Sequence, residues 1–236
     1  MINVIKDIPN FFLDIFFPKL CVGCGTYGRF LCFDCAGKIE NIKTSTCPEC
    51  GKISKYGRYC PNCKARTRTS LGGILIAAGY DAGPTKEIIH HLKYSGFIEL
   101  SELLGEILAQ RLVDSGLGLN DTVIVPVPLH KKKEKKRGFN QAELMAKYIS
   151  KKLNIPGGNS LVRVKNTETQ VGLRREERIK NLTGAFICDD REFVAGKTVI
   201  LVDDVTTSGT TLNECGRVLK EAGAKRVFGL VVARRI

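Results

Sequence analysis

A chain of 236 residues has room for one or two domains, and with 43% hydrophobic residues it can bury a real core. Its formal net charge of +13 points to anionic partners such as phosphorylated metabolites, nucleic acid or an acidic surface, without choosing between them. The apolar stretch over residues 11–17 is too short to span a membrane and is interrupted nearby by Asp7, Pro9 and Asp14; with no signal peptide read ahead of the cysteines, a cytoplasmic protein with reduced thiols and no transmembrane segment is expected.

Residues 1–18 form a first unit. An amphipathic helix is expected over 1–17, with Val4, Ile5, Ile8, Phe11, Phe12, Ile15 and Phe16 near helical spacing and a kink or split at Pro9. Its apolar face suits packing on the folded body; docking on a partner protein or a membrane surface would use the same pattern.

Residues 19–68 carry four C-x-x-C pairs: Cys21 and Cys24, Cys32 and Cys35, Cys47 and Cys50, Cys60 and Cys63. Each pair puts two thiolates on a tight turn facing one metal, and two pairs complete the tetrahedral Cys₄ shell of a structural Zn²⁺. Eight cysteines therefore imply two zinc ions in a double zinc ribbon. Sequential pairing assigns the first four cysteines to one ion and the last four to the other, and spacing leaves interleaved pairing open. An iron–sulfur cluster is the alternative metal site. A disulfide framework would need an oxidising compartment, which nothing in the chain supports. The region has little apolar material, so the metals supply most of its folding energy. Cys188 and Cys215 lie far away and read as ordinary packed thiols.

Residues 64–70 read as a basic linker, and residues 69–236 as an α/β domain. A strand is expected over 73–80 and a helix over 84–94, with Pro84 at its first position. His90 and His91 read as surface histidines of that helix. A second amphipathic helix covers 98–112. A short strand over 122–125 leads into Pro126-Val127-Pro128-Leu129-His130. The charge run over 131–137 fits a solvated face or arm, or a contact with pyrophosphate or nucleic acid. A helix then runs to Leu153, and a strand follows over 161–164. The polar segment over 166–181 suits a mobile lid. A helix over 210–222 ends at Gly223, and a last strand covers 227–232. Strands alternating with helices at this spacing argue for right-handed βαβ units and a mainly parallel sheet.

The stretch on which the rest converges is Val199-Ile200-Leu201-Val202-Asp203-Asp204-Val205-Thr206-Thr207-Ser208-Gly209-Thr210-Thr211. An unbroken apolar run reads as a strand buried on both faces, and ligands of open α/β sheets sit beyond the carboxyl ends of the strands. The loop's backbone N–H groups and the hydroxyls of Thr207, Ser208, Thr210 and Thr211 can donate to phosphate oxygens. The helix starting near Thr210 would aim its N-terminus at the same anion. Gly209 permits close approach or a positive φ. Two adjacent carboxylates would repel phosphate, but they accept hydrogen bonds from the hydroxyls of a ribose attached to it.

This stretch resembles the PRPP-binding signature of type I phosphoribosyltransferases (PRPP, phosphoribosyl pyrophosphate). The whole chain resembles the ComF family of bacteria. The resemblance rests on the four cysteine pairs, His91-Leu92-Lys93-Tyr94, Val125-Pro126-Val127-Pro128, Arg137-Gly138-Phe139-Asn140-Gln141, Thr169-Gln170 with Arg178 and Asn181, Gly184-Ala185-Phe186, and the stretch from Val202 to Thr211. It implies a type I phosphoribosyltransferase fold, a mainly parallel sheet flanked by helices, preceded by the cysteine-rich zinc region. It also implies a link to natural competence.

Carried over by that resemblance, Asp203 and Asp204 hold the ribose hydroxyls of PRPP, and Thr206, Thr207, Ser208, Gly209, Thr210 and Thr211 cradle its 5′-phosphate. Val127 and Pro128 lie at the pyrophosphate loop, and Lys93 joins the PRPP site. Arg174, Arg175 and Arg178, in the flexible loop, meet the leaving group. Mg²⁺ accompanies PRPP. Two other readings stand beside this one: a protein of this fold that binds single-stranded DNA through its basic loops, and a zinc-ribbon adaptor for other competence proteins. The intact acidic pair favours PRPP. With 7% aromatic residues and no Trp, a base-stacking platform is not evident. No motif announces an acceptor base.

Overall fold

The computed structural model describes residues 18–166 and 181–235. The helix expected over 1–17 lies outside the described residues, as do Arg174, Arg175 and Arg178 of the expected lid. In chain order the elements are α1 (Phe33–Gly37), α2 (Pro61–Thr67), β1 (Gly73–Gly79), α3 (Thr85–Tyr94), α4 (Leu100–Asp114), β2 (Thr122–Pro126), α5 (Lys131–Arg137) and α6 (Gln141–Leu153), followed by β3 (Leu161–Arg163), β4 (Phe186–Cys188), α7 (Arg191–Val194), β5 (Thr198–Thr206), α8 (Thr210–Glu221) and β6 (Arg226–Arg234).

Four strands form a parallel sheet in the order β1-β6-β5-β2. The apolar run expected to be central is β5, flanked by β6 and β2, with Ile200 beside Phe228 and Ile124. Its residues alternate between two cores. Ile200 and Val202 face Leu92, Leu104 and Met145 of α3, α4 and α6, whereas Val199 and Leu201 face Leu212, Cys215 and Leu219 of α8. Full burial on both faces is why this strand reads as an unbroken apolar run.

Three local expectations change. The strand expected over 161–164 is β3, which lies outside the four-stranded sheet. It pairs antiparallel with β4, Leu161 opposite Cys188 and Arg163 opposite Phe186. The first half of the expected linker is helical: α2 has Cys60 as N-cap, Pro61 at its start, and Arg68 in the left-handed region at φ 48° closing it. That helical turn is what carries Cys63 back to face the other cysteines. The charge run is also helical. In α5 no residue is buried, His130 caps its start by accepting from Lys132 N at 3.3 Å, and Gly138 ends it at φ 88°.

The cysteine region docks on the sheet's β1 edge. Asn41 lies opposite Ala78, with Ile42 N donating to Ala77 O at 2.8 Å and Gly79 N to Glu40 O at 3.2 Å. Backbone groups of an edge strand that would otherwise template unwanted pairing are covered in this way. Arg111 of α4 ties the same seam, donating to Ile76 O at 2.8 Å and to Ser45 Oγ at 2.5 Å.

Candidate functional site

At the carboxyl end of β5 a cavity of about 1020 Å³ opens between α3 and the loop leading into α8. Asp203, Thr206, Thr207, Ser208, Gly209, Thr210, Thr211 and Lys93 all line it. The backbone of the loop is held from behind: Arg235 N donates to Thr206 O at 2.9 Å and Arg234 Nε to Thr207 O at 3.3 Å. Gly209 sits at φ 75° and caps α8, as a left-handed position before a helix requires. Ser208 and Thr210 share a hydroxyl hydrogen bond of 2.7 Å. The first N–H groups of α8 have no intrahelical acceptor, and its first turn carries no acidic side chain, so the electrostatics favour an anion there.

The two aspartates have different surroundings, because adjacent residues of a strand leave it on opposite faces. Asp204 is only 3% exposed. Its Oδ1 accepts from Lys93 Nζ at 2.7 Å and its Oδ2 from Gln141 Nε2 at 2.6 Å. Arg137 donates to Gln141 Oε1, and its guanidinium lies 5.7 Å from the centroid of the Tyr94 ring. Lys93 and Tyr94 are consecutive on α3, so Lys93, Asp204, Gln141, Arg137 and Tyr94 form a closed ring of contacts. Burial works against the Lys93 charge, but the Asp204 carboxylate outweighs it and holds the ammonium's pKa above its ordinary value. Gln141 opens α6 behind Asn140, whose side chain accepts from Ala142 N at 3.1 Å and donates to Val127 O at 3.1 Å.

Asp203 faces the cavity, with its Oδ1 accepting from Asp204 N at 2.8 Å. Burial first, and then the neighbouring Asp204 charge, push its pKa up to about 7, against the opposing pull of Lys93 and the Asp204 N–H. Val127 and Pro128 do not line the cavity. Val127 donates from its N–H to Val202 O at 2.9 Å, which sets the Pro126–Pro128 turn beside β5. Gln141, Asn140 and Arg234 were given no role by sequence reasoning, and Arg137 only a share in the charge run over 131–137. The segment containing Arg137, Asn140 and Gln141 was visible as a motif, but nothing local marks Gln141 as the partner of an aspartate on another strand.

The eight cysteines form two groups, Cys21, Cys24, Cys32 and Cys35, and Cys47, Cys50, Cys60 and Cys63, with the sulfurs of each group within 4.8 Å of one another. Sequential pairing is therefore the arrangement adopted. Both groups use the same burial pattern, the first and fourth cysteine buried and the second exposed. Backbone N–H groups point at sulfur, Cys32 N to Cys21 Sγ at 3.3 Å and Cys60 N to Cys47 Sγ at 3.4 Å. Burial opposes ionisation of Cys21 and Cys47, but such donors outweigh it and bring both to about 6. Burial and neighbouring thiols push Cys35 up to about 12, and the Cys60 thiol and burial do the same to Cys63. Four thiolates this close require a cation between them, and four sulfurs suit tetrahedral Zn²⁺. Gly23 fits the same design, since a Cβ there would stand 2.8 Å from Cys35 Sγ.

Fold and site together define a phosphoribosyl transferase domain behind a pair of zinc ribbons. Residues 12–64 match the family model of the double zinc ribbon domain and residues 99–235 that of the phosphoribosyl transferase domain. The chain is 32% identical over 225 residues to competence protein F of Haemophilus influenzae, covering 87% of this chain and 98% of that protein. It is 32% identical over 222 residues to DNA utilization protein YhgH of Escherichia coli, covering 89% and 94%. It is 29% identical over 197 residues to competence protein ComFC of Bacillus subtilis, covering 82% and 79%. The chain belongs to the ComF family that these relatives represent. Among the described residues no helix is long and apolar enough to cross a membrane.

Proposed function

We propose that this chain binds PRPP together with Mg²⁺ in the cavity at the end of β5, and transfers or releases the phosphoribosyl group. One observation carries the reading: a loop able to cradle phosphate, the start of α8 and the Asp203 carboxylate line the same cavity. The 5′-phosphate sits on the N–H groups and hydroxyls of residues 207–211. The ribose hydroxyls donate to Asp203, which their hydrogen bonds favour in its charged form. Asp204, buried and paired with Lys93 and Gln141, holds the Lys93 side chain at the cavity wall. By the resemblance the pyrophosphate lies toward Val127 and Pro128, and Arg174, Arg175 and Arg178, outside the described residues, would meet it. Asp203 is the carboxylate at the cavity that would help hold Mg²⁺, which would supply neutralisation of leaving-group charge. The zinc ions are structural, since all four ligands of each come from the protein.

The names of the relatives support a role in competence and DNA use, with other competence proteins as candidate partners and the cytoplasm, where cysteine ligands stay reduced, as the compartment. Single-stranded DNA is the second reading. It is favoured by α5, whose Lys131, Lys132, Lys135 and Lys136 are all exposed on one short helix. Calorimetric titration of the zinc-loaded chain with PRPP and Mg²⁺, then with mixed-sequence single-stranded DNA, separates the two. Micromolar PRPP binding is the expected result. Absence of PRPP binding alongside salt-sensitive DNA binding would make DNA the primary ligand.

A further inference from the structure

We infer that the second tetracysteine cluster, through Arg234, positions the phosphate-cradling loop, so that the metal state of Cys47, Cys50, Cys60 and Cys63 governs how well the loop is formed. The inference rests on the proposed PRPP site for its functional meaning, but its geometry stands independently. Arg234, at the end of β6, donates from Nε to Thr207 O at 3.3 Å and from its terminal nitrogen to Pro48 O. Pro48 directly follows Cys47 inside the C-x-x-C turn. One guanidinium therefore links a carbonyl of the loop to a carbonyl of the metal knuckle. Tyr59 directly precedes Cys60, and its hydroxyl lies 3.8 Å from where a Cβ would stand on Gly209. Tyr59 also bonds Thr69. Thr69 Oγ1 and Ser70 N in turn both donate to Asn213 Oδ1 in the first turn of α8, at 3.0 and 2.8 Å.

These contacts start on, or next to, residues adjoining the second set of ligands, and they all end on residues 207–213. The first cluster instead packs against both ends of α3, with Gly23 against Pro84 at its start and the Phe30 ring stacked at 4.1 Å on Phe97, just past its end. A knuckle whose ligand turn is fixed by metal holds Pro48 O where Arg234 reaches it. A knuckle without metal loses that constraint. The loop's N–H groups are then free to sample geometries that no longer converge on one anion. Arg234 also lines the cavity, and in this scheme it is a positioning residue that acts through the Thr207 carbonyl.

The test uses the full-length chain with two zinc ions bound, comparing wild type with Arg234→Ala. Amide hydrogen exchange over residues 206–213 is expected to be about tenfold faster in the variant, the size of losing one charged hydrogen bond. By reciprocity, one of the two zinc ions should also be bound several-fold more weakly in equilibrium competition with a colorimetric chelator, while the other is unaffected. Asn213→Ala cuts the second link and should move the exchange in the same direction. Arg234→Lys should rescue only partly, because an ammonium lacks the planar fork that spans two carbonyls. Unchanged loop exchange in Arg234→Ala overturns the inference. So does faster loop exchange with both zinc affinities unchanged, which would confine Arg234 to the loop. Neither readout needs PRPP. Failure of the wild type to bind PRPP would therefore remove the proposed function and leave the coupling to be decided by exchange and zinc affinity.

Discussion

The two tetracysteine clusters repeat one design, with the same burial pattern and the same N–H donors to sulfur, yet they stand behind different walls of the cavity. The first supports α3, whose Lys93 reaches under the sheet end to Asp204. The second supports the loop between β5 and α8. The first makes its contacts by packing, Gly23 on Pro84 and Phe30 on Phe97, and the second through hydrogen bonds, with Arg234 bridging Pro48 O to Thr207 O and with Thr69 and Ser70 donating to Asn213. A metal unit with its own folding energy can brace whatever it touches. What it touches decides whether it stabilises a wall or sets the geometry of a ligand loop. The α3 wall is accordingly where stability should be most sensitive, and the loop wall where ligand affinity should be.

The sharpest break of that comparison is Lys93→Met. It leaves Asp204 buried with only Gln141 as donor, and removing one partner of such a pair costs about 3 kcal/mol. Urea unfolding should report the loss, and adding Asp204→Asn should recover most of it, since a neutral amide oxygen still accepts from Gln141. If Lys93→Met unfolds at the wild-type urea concentration, the ring of contacts contributes little and the α3 wall is held by packing alone.

Asp203→Asn addresses the other wall. It should lower PRPP affinity about 100-fold, the equivalent of losing charged acceptance of two ribose hydroxyls, with no loss of stability. The pH dependence follows from the raised pKa of about 7. The folded state holds this proton more tightly than the unfolded chain does, so Asp203 makes stability fall as pH rises from the ordinary carboxylate range to about 7. Affinity moves the other way, because the hydroxyls need the charged form. Titrations in wild type should tighten between about pH 6 and pH 8 and then level off, and this contribution should vanish in Asp203→Asn. A pH profile identical in the two proteins would show that Asp203 does not receive the ribose.

Much of this arrangement was legible in the chain. The apolar run at 199–202 marked the central strand because burial on both faces leaves no polar position. Gly209 marked the turn because the backbone there needs φ 75°. The spacing of the cysteines identified the knuckles but could not pair them. That outcome depends on which turns the chain brings together, as Cys24 and Cys32 show with their sulfurs 3.6 Å apart. The helix α2 was hidden by its basic composition. The position of β3 outside the sheet was hidden because its partner strand lies beyond an intervening polar segment. The different fates of Asp203 and Asp204 could have been anticipated, since neighbours on a strand point to opposite faces. What no local signal carried was the identity of the donors waiting for Asp204, which come from α3 and α6.

The smallest expected effect isolates the loop's own backbone from its bracing. A Cβ added at Gly209 would meet Ile74 Cδ1 at 3.5 Å and Tyr59 Oη at 3.8 Å, ordinary contact distances, so there is room for it. The cost of Gly209→Ala is then the left-handed backbone alone, about 1 kcal/mol for an L-residue. Thermal unfolding should fall by only a few degrees, and PRPP affinity by about fivefold if that strain is relieved when the loop relaxes away from the ligand. A loss far beyond this, with zinc released faster from one site, would mean that shifting Gly209 also displaces Tyr59 and through it Cys60. The loop would then load the second cluster as much as the cluster braces the loop. A loss confined to the backbone cost would leave Arg234 and Asn213 as the main connections between them.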